Sequence, residues 1–183
     1  MKNHSTMNLV FYAAFAALTA VLAQFSIPIG PVPICLATFG VYLAGGILGA
    51  FGGTVSQVVY LLLGAVGLPV FAGFSGGVSA LAGPTGGYLV GYVICAWIIG
   101  VFSGRFGKKI LPLAAAMILG TAACYFLGTA WFMFVTKRGL AESLVLCVLP
   151  FLPGDAAKII LAVALVPRLS AVCSHLERKE GAA

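Results

Sequence analysis

Two residues have the types and spacing to do chemistry in oily surroundings. They are Asp155 and Lys158, in the stretch LPGDAAKIIL from Leu152 to Leu161. Charge inside an apolar span is expensive and generally marks a functional site or path. On a helix the two stand at i and i+3, on one face. A purely structural account is available: Asp155 follows Pro-Gly and could cap a helix, with Lys158 as its counter-ion. A serine would cap at far less cost, so a small-molecule site is the favoured reading. A carboxylate accepts hydrogen bonds and an ammonium donates them. Together they suit a ligand group with adjacent N–H donors and a C=O acceptor, such as a urea or an amide. Lys158 could instead hold a ligand carboxylate. Phe71, Phe74 and Tyr88 are candidates to cover the ligand's apolar body.

Catalysis does not fit these residues. The histidines, His4 and His175, lie near the termini, and no cluster has metal-ligand spacing. There is no Gly-x-Ser-x-Gly, and no second intramembrane carboxylate to form a dyad with Asp155. The stretch SGRFGKK approaches a phosphate-binding loop. It fails because Phe102 stands where the first glycine belongs and Lys109 where Ser or Thr belongs. If the protein pumps, something other than a phosphate loop of its own supplies the energy.

The elements that carry the pair belong to a membrane protein. The 183 residues are 62% hydrophobic and 8% charged, against about 25% charge in a soluble domain. At about 20 residues per crossing, the chain has room for six helices and forms one domain over 1–183. The expected spans are 9–27, 34–50, 54–68, 86–103, 110–135 and 144–166. With the N-terminus inside, Lys2, Arg105, Lys108, Lys109, Arg168, Arg178 and Lys179 fall inside, and only Lys137 and Arg138 outside. That is the positive-inside bias, so the net charge of +6 reflects topology and lipid contact rather than nucleic acid. The start resembles a signal peptide, with Lys2, an apolar run and small residues near Ala23. A retained helix is favoured, because losing it would leave an odd span count. Cys35, Cys95, Cys124, Cys147 and Cys173 include no C-x-x-C and read as packing residues.

Two regions break the helical pattern. Gly67 to Tyr88 holds seven glycines, two prolines and no charge. Such backbone survives at membrane depth only against protein or a water-filled cavity, although a tight turn between helices would also serve. In the last span, Pro150, Pro153 and Gly154 interrupt the helix just before Asp155. From Asp155 to Pro167 is about 18 Å of helix, which sets Asp155 above the middle of the bilayer. Both breaks then open on the outer side, as broken helices do around transport sites. Small residues recur every four positions at Gly45, Gly49 and Gly53, at Gly83, Gly87 and Gly91, at Gly100 and Gly104, and in span one at Ala13 with Ala17 and Ala16 with Ala20. This spacing allows close helix approach, either within the chain or to a partner.

The pair GLPVFAGFSGG and AGPTGGYLVGY resembles the BioY family, the biotin-binding S components of energy-coupling factor (ECF) transporters. PGDAAK and VPI fit the same family, and the resemblance runs from Leu9 to Pro167. It implies an all-α fold of six transmembrane helices with an irregular Gly-rich segment between helices 3 and 4. It implies multi-pass placement in a prokaryotic plasma membrane with both termini cytoplasmic. It also implies biotin as ligand, no cofactor, and a membrane coupling protein with two cytoplasmic ATPases as partners. Ala13, Ala16, Ala17 and Ala20 resemble the motif that meets the coupling protein. Asp155 suits the ureido N–H donors of biotin, and Lys158 either the ureido oxygen or the carboxylate. Gly76 belongs to the Gly-rich part of the expected site. Phe74 stands where a smaller residue is expected. Val78-Ser79 occupies the place where some relatives carry a polar amide, and Ser75 or Ser79 is the candidate to replace it.

Overall fold

The structure is a computed structural model, describing the backbone of residues 5–180 and the side chains of residues 6–173. Lys2 and His4, and the side chains of His175, Arg178 and Lys179, lie outside the described residues. Seven helices and one small ribbon follow in order: α1 (Ser5–Gln24), β1 (Ser26–Ile27), β2 (Ile34–Cys35), α2 (Ala37–Ala65), α3 (Val78–Ala82), α4 (Gly86–Phe106), α5 (Ile110–Thr136), α6 (Leu140–Cys147) and α7 (Leu152–Glu180). Five of the helices among the described residues are long and apolar enough to cross a membrane: α1, α2, α4, α5 and α7. Large apolar side chains cover the outside, with Leu111 81% and Phe126 74% exposed, as a surface facing lipid requires.

The expected second and third spans form one helical element with a corner. Inside α2, Gly49 has φ 75° and ψ −172°, a conformation outside the helical region that glycine adopts without steric cost. A straight helix would hold Gly45 and Gly53 about 12 Å apart. Instead, a Cβ placed on Gly53 would lie 2.8 Å from the Gly45 Cα. The chain therefore doubles back, and arms 37–48 and 50–65 lie side by side. Helix α4 closes on the corner: a Cβ on Gly100 would come within 2.4 Å of the Ala50 Cα, and one on Gly45 within 2.6 Å of the Ala96 carbonyl oxygen. The break falls at a single residue, not over the 51–53 linker the spans imply.

Helices α4 and α5 meet through reciprocal pairs. A Cβ on Gly91 would lie 2.8 Å from Cys124 Sγ, and one on Gly120 would lie 2.9 Å from Cys95 Sγ. Each thiol fills the hollow that the facing glycine leaves. Gly104, by contrast, faces open space. Helix α1 packs on both arms of α2. Thr19 meets Gly40 of the first arm and accepts a hydrogen bond from Gln57 of the second at 3.2 Å.

Two expected boundaries shift. Span one ends at Gln24, because Ser26 and Ile27 pair antiparallel with Cys35 and Ile34 around a loop that holds Pro28, Pro31 and Pro33. The last span is two helices. Residues 148–151 form a turn between α6 and α7, and α7 runs on through Pro167. Pro150 lies in that turn. Pro153 sits in the first turn of α7, where its missing N–H costs little.

Candidate functional site

Asp155 lies in the first turn of α7, its N–H bonded to the Phe151 carbonyl at 2.8 Å. Its carboxylate does not cap the helix but points sideways into the protein. Oδ1 accepts from Lys158 Nζ at 2.8 Å and from Thr38 Oγ1 at 3.2 Å, and Oδ2 accepts from the Tyr125 hydroxyl. Lys158 also donates to Thr38 Oγ1 at 3.0 Å and to the Cys35 carbonyl at 2.6 Å. Asp155 is 3% and Lys158 6% exposed. An ammonium has three protons, and Lys158 has three acceptors for them. The pair is thus neutral, buried and held from β2, α2 and α5 at once.

Beside it opens a cavity with about 730 Å³ of empty space, the open mouth included. The ribbon and its loop give Val32, Pro33 and Cys35, and α2 gives Thr38, Tyr42 and Tyr60. The loop after α2 gives Phe71, Ala72 and Ser75; α4 gives Tyr88, Leu89, Tyr92 and Cys95; α5 gives Thr121, Cys124 and Tyr125. Phe151 completes the floor beside the pair. A straight helix of 29 residues would be about 44 Å long. Residues near both ends of α2 nevertheless line this one cavity, and the corner at Gly49 makes that possible.

The walls are amphipathic. Tyr42 shares a hydrogen bond with Thr121 at 2.5 Å. Tyr88 turns its hydroxyl to Thr129 at 3.2 Å and donates to the Cys147 carbonyl at 3.1 Å. Tyr92 lies 3.8 Å from Cys35 Sγ. Tyr60 meets Phe71 edge to face, centroids 5.5 Å apart. Rings with a polar tip can hold an apolar body and orient its polar ends.

The residues singled out in the sequence divide. Asp155, Lys158, Tyr88, Phe71 and Ser75 line the cavity together. Phe74, Gly76 and Ser79 are not among its lining. Phe74 is 71% exposed, Ser79 is exposed, and Gly76 packs on the Leu68 carbonyl, where a Cβ would come within 2.3 Å. In α1, Ala13 and Ala17 are exposed, Ala16 is buried and Ala20 half-buried. Thr38, Tyr42, Tyr60, Tyr92, Thr121 and Tyr125 were not foreseen. A signal existed: of the six tyrosines in the chain, all but Tyr12 line the cavity.

The BioY family profile matches residues 1–175. A probable biotin transporter BioY of Pyrococcus horikoshii is 44% identical over 157 residues, covering 86% of this chain and 92% of the relative. The biotin transporter BioY of Thermotoga maritima is 39% identical, covering 85% and 90%. The crystal structure of the S-component for biotin from an ECF-type ABC transporter superposes with a TM-score of 0.85 at 34% identity, covering 92% of this chain and 93% of that one. With the profile spanning nearly all the sequence and these relatives matching almost end to end, the chain belongs to the BioY family.

Proposed function

We propose that this protein is a biotin-binding S component: a transporter subunit, not an enzyme. It captures biotin for uptake through an ECF complex. The observation that carries the reading is the buried Asp155–Lys158 pair at the end of a tyrosine-walled cavity, in a chain whose relatives are named biotin transporters. Biotin has a ureido ring with two N–H donors and one C=O, an apolar thioether ring and a carboxylate tail. A carboxylate offers about four acceptor positions, of which Asp155 uses three, leaving one on Oδ2 beside Tyr125 for a ureido N–H. Lys158 can serve the ureido oxygen or the tail by exchanging one of its present partners. Isothermal titration of the purified protein with biotin and a panel of other vitamins tests this. Binding of biotin alone supports it, and binding of a different vitamin without biotin overturns it.

The remaining parts of the reading concern assembly and topology. A membrane coupling protein and two cytoplasmic ATPases supply the energy, and the exposed Ala13 and Ala17 of α1 form the contact with the coupling protein. The chain forms one membrane domain in a prokaryotic plasma membrane, with six crossings and both termini cytoplasmic. The doubling back at Gly49 supports the even count, with each arm of α2 as one crossing. At the corner, Lys108 donates to the Ile47 carbonyl at 3.3 Å, which groups the corner with the basic loop between α4 and α5 on the inner side. A membrane-impermeant thiol reagent added outside should label Arg138→Cys and spare Lys109→Cys; the reverse result would invert the topology.

A further inference from the structure

Gln24 is the last residue of α1, and its carboxamide works at both ends. Nε2 donates to the Val70 carbonyl at 3.1 Å, reaches that of Pro69 at 3.5 Å, and also bonds the Ala20 carbonyl at 3.0 Å within its own helix. Oε1 accepts the Phe74 N–H at 2.9 Å. The amide therefore grips the same loop at a carbonyl and at an N–H, as a neighbouring strand would. Between those points the loop closes on itself, with the Phe71 N–H bonded to the Ser75 carbonyl at 3.0 Å and Ser75 Oγ to the Ala72 carbonyl at 2.9 Å. Phe74 has φ 56°, unusual for a residue with a side chain. That turn sends its ring outward and its N–H toward Gln24. Phe71, Ala72 and Ser75 face the cavity.

We infer that Gln24 is a positioning residue for ligand retention: it latches loop 70–75 over the cavity and ties that loop to the end of α1. Release of a bound ligand then requires this one amide to let go. A displacement of α1, whose outer face carries Ala13 and Ala17, passes directly to the loop. The inference deepens the proposed function and uses its ligand, biotin, as probe.

The test is exchange of labelled biotin from the purified full-length protein, chased with unlabelled biotin, in wild type, Gln24→Met and Gln24→Glu. Met keeps the length and removes every hydrogen bond; Glu keeps the acceptor and loses the donors. Loss of two neutral hydrogen bonds should speed release about tenfold or more in Gln24→Met. Gln24→Glu, which turns a carboxylate oxygen toward the Val70 and Ala20 carbonyls, should release at least as fast as Gln24→Met, and association should change less than release. A merely structural role would lower the melting temperature while leaving the release rate alone, and that result overturns the latch. Should wild type retain no biotin, the proposed function fails. The latch is then read from amide exchange of residues 70–76 in the unliganded protein. Faster exchange in Gln24→Met supports it, and equal protection overturns it.

Discussion

The cavity has two walls built where helices break, and they differ in kind. One is the start of α7, buried and charged, whose Asp155 and Lys158 are bonded to three other elements. The other is the loop after α2, uncharged and largely exposed, held by backbone bonds and by Gln24. The first can move only by breaking the charge-assisted hydrogen bonds that Asp155 and Lys158 make to Thr38, Tyr125 and the Cys35 carbonyl, at about 1.5–3 kcal/mol each. The second can move by exchanging neutral hydrogen bonds, at about 1 kcal/mol each. On the proposed reading, this contrast makes the charged wall the determinant of how tightly biotin is held and the loop the determinant of how fast it comes and goes.

The largest break in that contrast should come from Asp155→Asn. It preserves shape, weakens acceptance from ligand N–H groups, and leaves Lys158 buried without its counter-ion. Biotin affinity measured by titration should fall on the order of a hundredfold or more; wild-type affinity with normal folding would reduce the pair to an internal salt bridge. Lys158→Met should cost somewhat less, and titration with biotin and with a biotin amide locates its role. A lost preference for free biotin assigns Lys158 to the tail, whereas equal weakening assigns it to the ureido oxygen.

The loop wall can be pushed without touching charge. A Cβ on Gly64 would lie 2.0 Å from the Phe71 Cζ, so Gly64→Ala must displace that ring. Overpacking of this kind costs about 1–3 kcal/mol. Affinity should drop roughly tenfold, with release accelerated more than association is slowed. Equal effects on both rates would remove the distinction between the walls. Smallest of all should be Ala13→Leu or Ala17→Leu, which touch neither wall. Biotin titration should be unchanged while pull-down of the coupling protein is lost; retained pull-down in both would move the interface elsewhere.

How much of this was legible follows from which signals are rare. A charge in an apolar span is rare, so Asp155 and Lys158 stood out, and Pro150 marked the break before them. The Gly49 corner was half legible. Its GxxxGxxxG spacing read as packing, which Gly45 and Gly53 do provide, but nothing in that spacing says that the middle glycine bends the chain. The ribbon was illegible, because strands of two residues carry no period. Thr38 was hidden among threonines that bond their own helix, as Thr54 does to Ala50 at 2.6 Å. Tyr42, Tyr60, Tyr92 and Tyr125 carried no local motif, and one sequence does not show which faces converge. Phe74 was expected over the ligand on residue type alone. Its backbone turn, with φ 56° and its N–H bonded to Gln24, decides where the ring goes.

The self-satisfied pair also has an electrical consequence. An elementary charge carried across the membrane exchanges about 2.3 kcal/mol with each 100 mV of potential. Asp155 and Lys158 sum to zero and lie 2.8 Å apart, so their reorientation within the bilayer does almost no electrical work. On the proposed reading, the pair itself gives the membrane potential no net charge to act on. Only a cargo with a charge of its own, such as a carboxylate tail, makes the loaded protein feel the field, and an interior-negative potential then opposes its inward passage.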